Sequence, residues 1–100
     1  MRSIAKHWED EEQLSPRLRL VRDVAVAVRQ RRKALGMNQT ELSLLAGCGR
    51  LFVSELERGK ETLRLDKLLN VLEVLGLNLT LTSGRGPLIV AEDLRTPYDG

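Results

Sequence analysis

Between Pro16 and Gly76 the apolar positions recur in four blocks of helical spacing, each followed closely by a glycine. In the first, Val21, Val24, Ala25, Val28 and Leu35 fall at intervals of three, four and seven, one apolar face of a helix. Ser15 can cap that helix, and Pro16 suits its first position. Arg29, Arg31, Arg32 and Lys33 lie in its last turns, where the helix dipole favours positive charge, and Gly36 ends it. A second helix of about two turns is predicted from Asn38 to Ala46. Asn38 and Glu41 have the spacing of a capping box, with Met37 and Leu42 as its hydrophobic staple. Leu42, Leu45 and Ala46 form the expected buried stripe. Gly47-Cys48-Gly49 is too short to reverse the chain. A third helix, about Arg50 to Arg58, turns Val53 and Leu56 inward and stops at Gly59. The fourth, about Leu65 to Leu75, sets Leu65, Leu68, Leu69, Leu72 and Leu75 on one face and leaves Val71 and Val74 over.

After Gly76 the period changes to two. Leu77-Asn78-Leu79-Thr80-Leu81-Thr82 alternates strictly, as a half-buried strand does. Ser83 to Pro87 is a turn cluster, and Leu88-Ile89-Val90 offers a second short strand. Two short helices joined by a tight glycine-containing turn are the signature of a helix-turn-helix. The fold class expected is mainly α: a compact helix-turn-helix bundle of four to five helices with a C-terminal β-strand or hairpin. The chain divides into a flexible lead (1–15), the helical domain (16–76), a strand or hairpin for dimerisation (77–91) and a tail (92–100).

Composition narrows the chemistry. One hundred residues make one domain, and 42% apolar residues with three aromatics make a modest core of Leu, Val and Ala, a size at which oligomerisation often adds stability. Residues 1–16 are polar and acidic where a secretory signal needs an apolar segment, and no apolar run approaches a membrane span, so a cytoplasmic location is the default. A single Cys48 and a single His7 exclude an internal disulfide, a cysteine-cluster metal site and most histidine-based catalysis. No Ser/His/Asp set or phosphate loop is present. An enzyme is not expected, nor a metal or cofactor. The net charge of +2 is unevenly spread. Residues 17–60 hold ten basic and four acidic groups, a net of +6, whereas residues 1–16 and 61–100 are each net acidic by two. Such a block fits a nucleic-acid-binding module, and equally a solvated helix face.

Three runs sharpen the reading: Arg32-Lys33-Ala34-Leu35-Gly36-Met37-Asn38-Gln39-Thr40-Glu41-Leu42, then Ala46-Gly47, then Phe52-Val53-Ser54-Glu55-Leu56-Glu57-Arg58-Gly59-Lys60. On these the stretch Gln30 to Gly76 resembles the Xre/phage-repressor helix-turn-helix family. The run RLFVSELERGKETLRLDKLLNVLEVLGL, followed by an alternating strand, looks most like the HipB-type antitoxins. That resemblance implies a homodimeric repressor on a palindromic operator in double-stranded DNA, which autoregulates its operon and binds a HipA-like kinase toxin. Many stand-alone regulators share the same core.

In a helix-turn-helix the second helix of the motif enters the major groove with its N-terminal half at the base edges. The positions pointing there are Arg50, Leu51, Ser54 and Glu55. Arg50 can donate two hydrogen bonds to a guanine, and Glu55 can accept from a cytosine amine. Leu51 offers only apolar contact, where many relatives have a polar residue. Phe52 lies either against sugar or phosphate at the groove edge or packed on the preceding helix. Gln39, at the start of the second helix, suits a phosphate oxygen, as do Arg58 and Lys60 beyond the third. The resemblance also implies a structural brace between Arg32 and Glu57. Cys48 is expected to be an inert buried thiol, and His7 and Trp8 to belong to a mobile tail. For dimerisation the candidates are Val71, Val74, Leu77, Leu79 and Leu81. The strand has no obvious partner in the first 76 residues and can pair with a second copy, or fold as a hairpin within one chain. A competing function is a protein-interaction module that docks a kinase with no DNA role of its own. Net +6 around an Arg-led helix argues against it.

Overall fold

The computed structural model describes residues 15–86 and 89–95. Its first helix, α1 (Pro16–Ala34), begins where Ser15 Oγ accepts the Leu18 amide at 3.2 Å. It ends in a glycine-terminated turn in which the Met37 amide reaches back to the Arg32 carbonyl at 3.1 Å. α2 (Gln39–Ala46) starts with both halves of the capping box in place. Asn38 Oδ1 accepts the Glu41 amide, and Glu41 Oε1 accepts the Asn38 amide, each at 2.8 Å. Gly47 closes α2 at φ +69°, a left-handed conformation that costs other residues energy. Gly49 then opens α3 (Arg50–Glu57) with no side-chain cap. α4 (Leu65–Val74) follows, and a single helical turn, α5 (Glu92–Arg95), packs back against α1. α2 packs on both α3 and α4, and α1 also packs on α3.

The core lies where these helices meet. It consists of Val28, Leu42, Ala46, Val53, Leu56, Val71, Leu72 and Leu75, with Val24, Met37, Cys48, Phe52, Leu68, Val74 and Leu77 packed partly against it. Burying a Leu or Val side chain contributes about 1.5–3 kcal/mol. Arg31 adds a polar clamp: its Nε donates to the Leu75 carbonyl at 2.8 Å, tying α1 to the end of α4.

Several sequence expectations are corrected. Leu45 is not in the buried stripe of α2. It is 65% exposed, and Ser43, whose hydroxyl donates to the Thr40 carbonyl at 2.7 Å, is buried instead. On α1, Leu35 is exposed and Ala27 joins the buried face. The buried stripe of α4 is Val71, Leu72 and Leu75 with Leu68 beside them, whereas Leu65 and Leu69 are exposed. Val71 is therefore core and not a surplus side chain, and Val74 and Leu77 also pack partly on the core. The physical reason is that Leu or Val occupies so many positions of α4 that periodicity leaves its rotation undetermined.

The C-terminal β-strand is corrected too. Among the described residues none forms a strand, and Leu77–Thr82 is irregular. Alternation makes one face apolar, but a strand also needs a neighbour for its backbone groups, and the described chain supplies none. Of the second expected strand, Leu88 lies outside the described residues, and Ile89 and Val90 are irregular. The tail expected from residue 92 begins with α5. The lead up to residue 14, with His7 and Trp8, lies outside the described residues, as do residues 96–100. No described helix is long and apolar enough to cross a membrane.

Candidate nucleic-acid interface

Val53 and Leu56 anchor α3 by being almost wholly buried, 0% and 3% exposed. At about 100° per residue this turns Arg50, Leu51, Ser54 and Arg58 into one outward arc. Arg50 and Arg58 are exposed, Leu51 is 65% exposed, and Ser54 is half-buried. Three of the sequence-predicted base-reading side chains, Arg50, Leu51 and Ser54, thus stand with Arg58, a predicted phosphate contact, on one face of a short helix pinned from behind.

Glu57 leaves α3 on one side of that arc and meets the buried end of α1. Arg32 Nε donates to Glu57 Oε2 at 2.7 Å, and its Nη2 to Oε1 at 2.9 Å, a bidentate pair. Arg32 Nη1 also donates to the Met37 carbonyl at 2.8 Å. Arg32 is only 8% exposed, and its pKa is raised, first by the hydrogen bond to Glu57, which outweighs the desolvation that opposes it. The pair joins α1, the loop before α2 and the last turn of α3.

Gln39 belongs to the same network, a link not evident from sequence. Its Nε2 donates to Glu57 Oε1 at 3.1 Å. The amide is held at the first position of α2, with its second N–H and its carbonyl oxygen left for other partners. The two predicted roles, a brace at Arg32 and Glu57 and a phosphate contact at Gln39, share one carboxylate.

Lys60 and Glu55, both placed at DNA by the sequence, meet each other. Lys60 Nζ lies 3.2 Å from Glu55 Oε1, and the Lys60 amide donates to the Glu55 carbonyl at 3.0 Å in the turn that closes α3 around Gly59. The free-carboxylate reading of Glu55 is thereby altered: in the structure its charge is balanced by Lys60. Phe52 is half-buried against the core, and the ammonium of Lys67 from α4 stands 5.9 Å from its ring centroid. Lys67 was missed by sequence reasoning. Its one signal was a single basic residue in the first turn of a helix whose other polar residues are acidic or neutral. Cys48 packs half-buried in the turn ahead of α3. Burial pushes its thiol pKa up, against the opposing charge of Lys67.

The helix-turn-helix family model HTH_3 matches residues 28–81, more than half the chain. A protein of Sinorhizobium fredii, described as an uncharacterized HTH-type transcriptional regulator, y4mF, is 35% identical over 68 residues. The match covers 68% of this chain and 90% of that relative. Packed helices, a tight glycine turn and a second motif helix with an Arg-led outward face agree with both matches, and the chain belongs to the Xre-like helix-turn-helix family.

Proposed function

We propose that this chain is a sequence-specific DNA-binding repressor that works as a homodimer in the cytoplasm. The observation that carries the reading is the outward arc of α3, led by Arg50 and held in register by the buried Arg32–Glu57 pair. Arg50 reads a guanine, Leu51 contacts a thymine methyl, and Ser54 and Glu55, the latter through the oxygen that does not face Lys60, complete the base-facing set. Gln39, Arg58 and Lys60 take phosphates and set the register of α3 in the groove. Phe52 sits at the groove edge. The relative from Sinorhizobium fredii, named as a transcriptional regulator, supports this direction.

One recognition helix covers one half-site, so two copies across a two-fold axis bring two of them to a palindromic operator, roughly 34–36 Å apart. The exposed apolar residues beyond α3 support the assembly: Leu65 and Leu69 on α4, then Leu79 and Leu81, the last 91% exposed. The segment 77–82, with Leu79 and Leu81 exposed, lies against the second copy.

Within this reading the chain is the antitoxin of a HipBA-like operon, with a HipA-like kinase toxin as a second partner. The run from Arg50 to Leu77 supports it by resemblance. A stand-alone Xre-type regulator is the second reading, with which a relative described as a transcriptional regulator is consistent. A gel shift on the DNA upstream of the protein's own gene tests the DNA role, and a tight, sequence-selective shift is expected. Binding no stronger than to unrelated duplex contradicts it. Co-purification with the product of the adjacent gene, if that gene encodes a kinase, separates antitoxin from stand-alone regulator.

A further inference from the structure

Seen down the axis of α3, the outward arc of Arg50, Leu51, Ser54 and Arg58 has two flanks. Glu57 marks one, and there the 3.1 Å hydrogen bond brings in Gln39 from the start of α2. Phe52 marks the other, and there Lys67 arrives from the first turn of α4, its ammonium 5.9 Å from the ring centroid. A duplex that takes α3 into its major groove lays one sugar–phosphate strand along each side of the helix. We propose that Lys67 is a phosphate-binding residue on the flank opposite Gln39, held in position by the face of Phe52. This rests on the DNA-binding reading of α3.

The charges around Lys67 favour an external anion. Its helix neighbour Asp66 is engaged by Arg64, at 3.1 and 2.6 Å. Glu55, one turn along α3 from Phe52, is engaged by Lys60 at 3.2 Å. Among the described residues Lys67 is in no ion pair. An aromatic ring holds a cation without neutralising it, so the ammonium is oriented yet keeps its full charge. The field of Lys67 also reaches Cys48, in the turn just before α3. Phe52 lies in the first turn of α3, so the ammonium over its ring stands near the N-terminal end of the helix, with Arg50. Gln39 and Lys67 then bracket the base-reading arc from α2 and α4.

The test measures affinity of the full chain for its upstream duplex and for an unrelated duplex across a salt series. Parent, Lys67→Met, Lys67→Arg and Arg50→Ala are compared. Each phosphate contact adds about 0.9 to the slope of log affinity against log salt. Lys67→Met is expected to flatten that slope by about one for each recognition helix engaged. It should weaken both duplexes by a similar factor, with its melting temperature unchanged. Lys67→Arg should keep the parent slope. A purely structural Lys67 would leave the slope alone. An unchanged slope in Lys67→Met, while Arg50→Ala loses preference for the upstream duplex, overturns the assignment of Lys67 and leaves the DNA reading intact. If Lys67→Met fails to fold, Lys67→Gln gives the same slope measurement. A parent chain with no affinity for either duplex overturns both readings together.

Discussion

Exchanging Glu57 for Gln changes little volume but removes the charge opposite a buried guanidinium. In the parent Arg32 is 8% exposed and donates twice to the Glu57 carboxylate, at 2.7 and 2.9 Å, while Gln39 donates to the same group at 3.1 Å. Gln offers one acceptor oxygen and turns an N–H₂ toward donors, so at least one bond is lost and one donor pair is opposed. The Met37 carbonyl, at 2.8 Å, still holds Nη1 but carries no net charge. Breaking one side of a buried ion pair costs about 3–5 kcal/mol. A domain of this size has a total stability of about 5–15 kcal/mol. Each kcal/mol moves its midpoint by about 4–8 °C, so a fall of 12 °C or more is expected (on the order of three times the lower figure). Thermal melting followed by circular dichroism measures it, with urea titration to give the free energy. A cycle with Arg32→Met adds a second check: Arg32→Met with Glu57→Met should be more stable than either single variant, because no charge is left stranded. A Glu57→Gln midpoint within about 2 °C of the parent would refute the reasoning, since surface pairs are worth only about 0–1 kcal/mol.

The other expectations are smaller or more local. Gly47→Ala meets no atom within 4 Å of the added Cβ, so only the left-handed backbone at φ +69° resists it. A loss of about 1–2 kcal/mol in urea unfolding is expected, with no change in the base preference of folded protein. Cys48 should be a slow nucleophile at neutral pH, because burial raises its pKa. Iodoacetamide labelling should accelerate only as pH climbs through and above the ordinary thiol range. By linkage, a raised folded pKa adds stability that is full below the unfolded thiol pKa and is lost as pH rises through the folded value. A Cys48→Ala variant should lack that alkaline fall. Truncation before Leu77 should leave a monomer or a much weaker dimer by light scattering, with operator affinity reduced far more than non-specific affinity.

Local chemistry was the legible part of this sequence. The capping box at Asn38 and Glu41, the Ser15 cap and the glycines ending the helices act within one turn, and each appears where the residues place it. The pair Arg32–Glu57 was legible only through family resemblance, because its partners lie on different helices. The rotation of α4 was not legible: Leu65, Leu69 and Val71 are equally apolar, and only packing with α2 and the rest of the core decides that Val71 is buried. Leu45 failed for a similar reason, since a two-turn helix has too few positions to fix its phase. The alternation at Leu77–Thr82 is real, but it specifies a face and not a pairing partner. Gln39 to Glu57 is a hydrogen bond and Lys67 to Phe52 a cation–π contact between different helices, for which spacing along the chain carries no signal.

The central claim is that the Arg50-led face of α3 reads base sequence. Fluorescence anisotropy with a labelled duplex from upstream of the protein's own gene tests it, with systematic base-pair changes and parent and Arg50→Ala side by side. The account predicts that Arg50→Ala loses about 1–3 kcal/mol on the upstream duplex and becomes indifferent to the identity of one base pair per half-site, while binding to unrelated duplex changes little. An Arg50→Ala protein that keeps both the parent's affinity and its base preference would contradict the account.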